Sequence, residues 1–278
     1  MNRINNNDYT SIIPTAILTA YPRILTDIPY SKEIFNELNK EDISKDFLID
    51  RLAPELEARY KLVDRLIKKT GITQIFELAS GYSARGLVFT ENKDVSYVEL
   101  DLKEVCERKK KIFNTFTTIP SNLHILNGNA LDPKDFNKCE KYFDKNKPVC
   151  VINEGLLRYL SFDEKRIIAE NIYNLLSKYG GVWITCDVTP KKFIQNQDKN
   201  MPKLNISISK VSDRNNADWR FENNEHVKKF FEDIGFNLEF HSFKEVKDKL
   251  TSTQKLGLKD DEIDRLLDSA TVVVFRRK

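Results

Sequence analysis

The sequence predicts an α/β fold built on a mostly parallel sheet with helices on both faces. Three observations predict it. From residue 74 onward, short apolar runs of strand length alternate with longer segments of helical period. A tight glycine turn follows the first run, in Glu77-Leu-Ala-Ser-Gly-Tyr-Ser-Ala-Arg-Gly86. Polar residues gather at the ends of two later runs, Tyr97-Val-Glu-Leu-Asp101 and Ile152-Asn-Glu-Gly-Leu-Leu-Arg-Tyr-Leu160. Ligands of open parallel sheets bind outside the carboxyl ends of the strands, so these stretches together mark a nucleoside-binding crevice.

The elements follow in order. Residues 8–46 carry apolar and aromatic anchors, among them Tyr9, Ile12, Leu18, Tyr21 and Phe35, and read as short capping helices. Residues 54–70 read as a longer helix. Pro54 suits its first position, Glu55 and Glu57 its first turn, and Lys68 and Lys69 its last turn before Gly71. Strands are expected at 74–79, 95–100, 123–126, 149–152 and 182–186, with helices at 83–90, 102–113 and 161 to about 177. Ser161 and Glu164 have capping-box spacing at the start of the last of these helices. Beyond it the pattern gives a helix at 225–234, a strand at 236–240, a helix at 260–269 and a seventh strand at 271–275. The polar, irregular stretch 190–222 reads as a lid-like insertion, because structureless loops of that length in compact domains are usually functional. The expected organisation is a helical cap over 1–53 and one large domain over 54–278.

Composition excludes several classes. The 45 basic and 42 acidic residues nearly cancel, which gives no argument for a nucleic-acid partner. The basic run Arg108-Lys-Lys-Lys111 follows Glu104 and Glu107 and reads as the solvated face of a helix. Cys106, Cys139, Cys150 and Cys186 form no C-x-x-C pair, and the three histidines are scattered, so neither a metal site nor a disulfide framework is expected. No apolar run approaches the length of a membrane span, and the polar start Met1-Asn-Arg-Ile-Asn-Asn-Asn7 has no signal-peptide core. The expected setting is the cytoplasm, with no membrane partner.

The crevice residues narrow the ligand. Gly81 permits a sharp turn and a close ligand approach. Gly81 and Gly86 fit the outer glycines of a P-loop, but Leu87 and Val88 stand where Lys and Ser/Thr are required, which removes a nucleotide triphosphatase. Ala79 occupies the first position of a G-x-G-x-x-G/A frame, where a dinucleotide site needs glycine for the tight turn. Asp101 lies 20 residues past Gly81, where a carboxylate can accept from both hydroxyls of a ribose. Glu99 shares its strand face, so either acid is a candidate. Glu154 follows the fourth strand, and Arg158 and Tyr159 lie on the same loop.

With these pieces the chain resembles a class I S-adenosylmethionine-dependent methyltransferase of the leucine carboxyl methyltransferase-like group. The resemblance covers about residues 10–190. It is carried by Thr15-Ala-x-x-Thr-Ala-x-x-Arg23, Arg59, Glu77-Leu-Ala-Ser-Gly81, Val98-Glu-Leu-Asp101, Gly128-Asn-Ala-Leu131 and, most specifically, Asn153-Glu-Gly-Leu-Leu-Arg-Tyr-Leu160. It implies a Rossmann-like, seven-stranded sheet whose last two strands form an antiparallel hairpin. It implies S-adenosylmethionine (SAM) as cofactor and S-adenosylhomocysteine (SAH) as product. Arg59 would hold the methionine carboxylate, Gly81 would lie under the methionine part, Asp101 would bind the ribose, Ala130 and Leu131 would border the adenine, and Glu154 would contact the aminoacyl end. The full cofactor-binding set is Arg59, Glu77, Ala79, Gly81, Glu99, Asp101, Asn129, Ala130, Leu131 and Glu154. Tyr21, Arg23, Arg158 and Tyr159 are the substrate-facing candidates, with Arg158 and Tyr159 the candidates for a catalytic role. Two positions depart from the group: Ala79 replaces the first glycine of its loop, and Ala130 stands where many relatives have Asp, so that Asn129 or Asp132 would supply the adenine acceptor.

Methyl transfer from a sulfonium is an in-line displacement that requires positioning and exclusion of water. A carboxylate acceptor needs no general base, and no histidine falls at the crevice by sequence, which favours a carboxylate or an acidic hydroxyl of a small molecule or protein. The competing readings are a SAM-binding module without turnover and a nicotinamide-dependent dehydrogenase. The missing first glycine and the terminal strand pair argue against the dehydrogenase. Asn153-Glu-Gly-Leu stands where an RNA methyltransferase would carry Asn/Asp-Pro-Pro-aromatic.

Overall fold

A computed structural model gives the structure of the chain and describes residues 16, 18–40, 49–188, 190–191, 217–268 and 270–278. The helices are α1 (Ala20–Arg23), α2 (Ser31–Asn39), α3 (Ala53–Thr70), α4 (Arg85–Phe89), α5 (Lys103–Phe113), α6 (Pro133–Cys139), α7 (Phe162–Tyr179), α8 (Asn224–Glu232), α9 (Ser252–Lys255) and α10 (Asp260–Leu267). The strands are β1 (Gln74–Leu78), β2 (Ser96–Asp101), β3 (Leu123–Asn127), β4 (Val149–Asn153), β5 (Gly181–Thr185), β6 (Phe236–Ser242) and β7 (Thr271–Arg277). They form one seven-stranded sheet in the order β3-β2-β1-β4-β5-β7-β6. Pairs among β1 to β5 are parallel, and β7 runs antiparallel to both β5 and β6. This is the Rossmann-like sheet with a reversed last strand that the resemblance implies. Its order reverses between β1 and β4, which is where such sheets open a crevice.

Strand alternation divides the core in two. Ile75, Tyr97, Ile125, Cys150, Ile152 and Val274 pack under α3 and α5. Phe76, Val98, Leu100, Val151, Trp183 and Phe275 pack under α7 and α8. Both faces are dry, which accounts for the continuous apolar runs in the strands.

The helix ends follow the expected local rules. Pro54 opens α3, and Gly71 closes it in a left-handed conformation, φ 67°. The box at the start of α7 forms in both directions, Ser161 N–H to Glu164 and Glu164 N–H to Ser161. Two features were not anticipated from the pattern. The short α6 is marked by Asp132, which caps the Lys134 N–H, and by Pro133. A helical run over Phe243–Lys249 and α9 leads to Glu57 of α3, whose buried carboxylate accepts from the N–H and Oγ of both Thr251 and Ser252.

Of the capping segment, α1 and α2 are described, and Ile34 and Leu38 join the core beneath α3 and α5. Most of the expected insertion at 190–222 lies outside the described residues. Among the described residues, no helix is long and apolar enough to cross a membrane, and no group of three His, Cys, Asp or Glu side chains could hold a metal ion.

Candidate active site

One cleft opens at the carboxyl ends of β1 to β4. Its floor is the turn after β1, Ala79 to Tyr82, with walls from Leu100 to Leu102 after β2, Gly128 to Leu131 after β3 and Glu154 to Leu160 after β4. Arg59 of α3 closes one end, and Thr19 and Arg23 of the N-terminal segment cover it.

The β1 turn is held by its neighbours. The Ala79 N–H donates to the Leu100 carbonyl at 2.8 Å, and the Gly81 N–H donates to Asp101 Oδ2 at 2.7 Å. Gly81 sits at φ 52°, a left-handed angle that glycine adopts freely. Ala79 also sits at φ 52°. A residue with a side chain therefore holds a conformation that glycine favours, at a cost of roughly 1–2 kcal/mol.

Asp101 ends β2 and lines the cleft. Its Oδ1 accepts the Leu102 N–H at 2.7 Å, so each carboxylate oxygen is fixed by one backbone donor and keeps a lone pair. Burial pushes its carboxyl up, against the pull of the Gly81 and Leu102 N–H groups.

Glu154 is the electrostatic centre. Its Oε2 accepts from Arg59 Nε at 2.8 Å, and its Oε1 accepts from Arg85. Burial alone would push this carboxyl up; the guanidiniums of Arg85, Arg59 and Arg23 outweigh it and hold it down at about 2. Arg85 in turn reaches Asp64 at 2.6 Å and Glu77 at 2.9 Å, and its guanidinium lies 4.3 Å from the centre of the Tyr60 ring. Arg23 Nε is buried without a hydrogen-bond partner among the described residues. The cleft thus joins an ionised carboxylate, the three guanidiniums of Arg23, Arg59 and Arg158 and a fixed aspartate above apolar walls, a donor set that complements an amino-acid head group and a vicinal diol.

Eight of the ten expected cofactor residues line the cleft: Arg59, Ala79, Gly81, Asp101, Asn129, Ala130, Leu131 and Glu154. Glu77 and Glu99 do not. They are register partners on adjacent strands, and two residues of strand rise, about 7 Å, set Glu99 below the sheet edge that Asp101 reaches. Glu77 is spent on Arg85 and on Tyr97 Oη at 2.7 Å. Glu99 is spent on Lys109 at 2.5 Å and Ser80 at 3.0 Å; burial pushes its carboxyl up to about 7 against the pull of Lys109. Arg23, Arg158 and Tyr159 line the cleft, whereas Tyr21 packs against Phe35. Of the two proposed adenine acceptors, Asn129 is at the cleft and Asp132 is committed to the α6 cap.

Two residues complete the site without having been singled out by sequence. Arg85 stands inside the glycine-loop motif as the one cation in a run of small residues. Asp187, just past β5, accepts from the N–H groups of Gly155, Leu156 and Leu157 at 2.6, 2.7 and 3.1 Å and from Asn153 at 2.7 Å. It holds the loop that carries Glu154, Arg158 and Tyr159.

The family model for leucine carboxyl methyltransferase matches residues 24–173, more than half of the chain. The chain belongs to the leucine carboxyl methyltransferase family. The match spans Arg59, the β1 turn, Asp101 and the Glu154 loop, so the family assignment and the cleft rest on the same residues. Solved structures agree on the class I methyltransferase fold. A candidate methyltransferase from Thermobifida fusca YX is similar at TM-score 0.56 and 13% identity, covering 97% of this chain and 94% of that one. A DUF574 family protein from Streptomyces avermitilis MA-4680 is similar at 0.56 and 15%, covering 94% and 97%. Magnesium protoporphyrin IX methyltransferase from Synechocystis PCC 6803, with bound SAH, is similar at 0.51 and 9%, covering 98% and 97%. No curated protein matches the sequence.

Proposed function

We propose that this family member transfers a methyl group from SAM to a carboxylate or acidic hydroxyl oxygen. The buried Arg59–Glu154 pair beside Arg23, whose Nε has no hydrogen-bond partner among the described residues, on the same cleft as Asp101, carries the reading. These residues fit the cofactor. Arg59 and Arg23 would hold its carboxylate, Glu154 its ammonium and Asp101 its ribose hydroxyls. Asn129, Ala130 and Leu131 would border the adenine. Glu77 and Glu99 would act from below, through Arg85 and Lys109.

Bound SAM supplies a methyl on a sulfonium, whose C–S electrons go to sulfur as the acceptor oxygen bonds the carbon. A carboxylate becomes an ester in that step with no proton to remove. No histidine lines the cleft among the described residues. His241 is held between Glu239 and Glu245, His124 stacks on Tyr142, and His226 stacks on Phe162. The chain's own work is therefore binding, orientation and exclusion of water, with Thr19 and Arg23 of the N-terminal segment as part of the cover. Tyr159, buried in the wall, and Arg158 orient the acceptor.

A labelled-methyl assay over carboxylic and phenolic acceptors tests this. Base-labile methyl ester is the expected product, lost in Glu154→Ala and Asp101→Ala. Tight SAH binding with no transfer to any acceptor would instead support a binding module.

A further inference from the structure

Behind the cleft lies a second cavity of about 50 Å³, sharing Arg59, Gly155 and Arg158 with it as a common wall. At roughly 10–15 Å³ per water-sized group it has room for about three to five such groups, enough for one carboxylate and its carbon. Its charged lining is Arg59, Arg158, Lys165 and Arg220 with Glu55 and Asp187; Arg59 is paired with Glu154, and Asp187 is already committed to four donors. One donor on this wall remains to be used: Arg158 Nη2 is buried with no hydrogen-bond partner among the described residues. Beside it the Lys165 ammonium, 1% exposed, donates to the carbonyls of Leu160 and Trp219 and lies over the rings of Phe162 and Phe221 at 5.1 and 6.0 Å.

Burying an unpartnered guanidinium N–H costs free energy unless a ligand satisfies it, and a guanidinium next to an ammonium complements an anion. A carboxylate held by an ammonium and a guanidinium has its lone pairs committed and attacks a methyl carbon poorly. The anion here is thus not the oxygen that is methylated.

We propose that this cavity is an anion subsite for the methyl acceptor, taking a second carboxylate while another acidic oxygen is presented to the cleft. The acceptor class is then a dicarboxylate. This deepens the O-methyl transfer reading and rests on it for the word acceptor, whereas anion binding in the cavity is measurable without turnover.

Trp219 lines the cavity, and the only other tryptophan, Trp183, is fully buried in the core. Tryptophan emission of the SAH-loaded protein is followed during titration with succinate, glutarate and adipate and with monocarboxylates of equal length. At least one dicarboxylate is expected to give a saturable change with affinity tenfold or more above its monocarboxylate, abolished in Trp219→Phe. Arg158→Gln and Lys165→Met, each checked for native unfolding behaviour, are expected to weaken it by about tenfold or more, the value of one charged hydrogen bond. No preference for dicarboxylates, or a preference unchanged in folded Arg158→Gln, would overturn the subsite. Dicarboxylate binding without methyl transfer would leave the subsite standing and remove the O-methyl reading alone.

Discussion

Replacing Ala79 with glycine should stabilise the protein, although it removes a methyl group. Ala79 is held at φ 52° by its N–H bond to Leu100 on one side and by the Gly81–Asp101 bond on the other. A non-glycine residue pays about 1–2 kcal/mol for that conformation. Glycine removes this strain but has more freedom to lose on folding, about 0.5–1 kcal/mol. The difference leaves Ala79→Gly more stable by about 0.5–1 kcal/mol, or roughly 1–2 °C in Tm for a chain of this size. Urea unfolding is the better assay, since the midpoint should rise at an unchanged slope. Ala79→Val, with a branched side chain forced into the same angle, should lose about 1–2 kcal/mol relative to Ala. A destabilised Ala79→Gly, or a neutral Ala79→Val, would show that the turn does not have this geometry.

Other outcomes follow from the charge network and the core. Arg85→Met leaves Asp64, Glu77 and Glu154 without their shared cation and should cost about 3–5 kcal/mol in urea unfolding. Arg85→Lys should recover only part of that, because an ammonium lacks the fork that separates three carboxylates. Asp187→Asn places an amide among N–H donors and should lose about 3 kcal/mol together with order in the 155–157 loop, read by hydrogen exchange. Burial pushes the thiols of Cys106, Cys139 and Cys150 up to about 12 and that of Cys186 well above its usual range. The native protein should therefore resist an aromatic disulfide reagent at mildly alkaline pH, and all four thiols should react in denaturant.

Much of the sheet was legible because its strands are buried on both faces and separated by strong helix signals. Asp101 and Glu154 were legible because a polar residue at the end of an apolar strand can point only toward the crevice or solvent. Glu77 and Glu99 were expected at the cleft and lie below it, because alternation gives the face of a strand residue and not its depth below the edge. Arg85 and Lys109 could not be matched to their carboxylates by sequence, since each pairing crosses elements that only the folded sheet brings together. The second cavity was hidden for the same reason: Lys165 meets Trp219 through a return of the chain 54 residues later.

Calorimetric titration with SAH tests the central claim, that the cleft at the carboxyl ends of β1 to β4 is a SAM site. The expected result is saturable binding at one site per chain, weakened at least about tenfold in Asp101→Ala by the loss of charged hydrogen bonds to the ribose. Absence of binding heat in the folded protein, or an Asp101→Ala variant that binds as tightly as the parent, would contradict it.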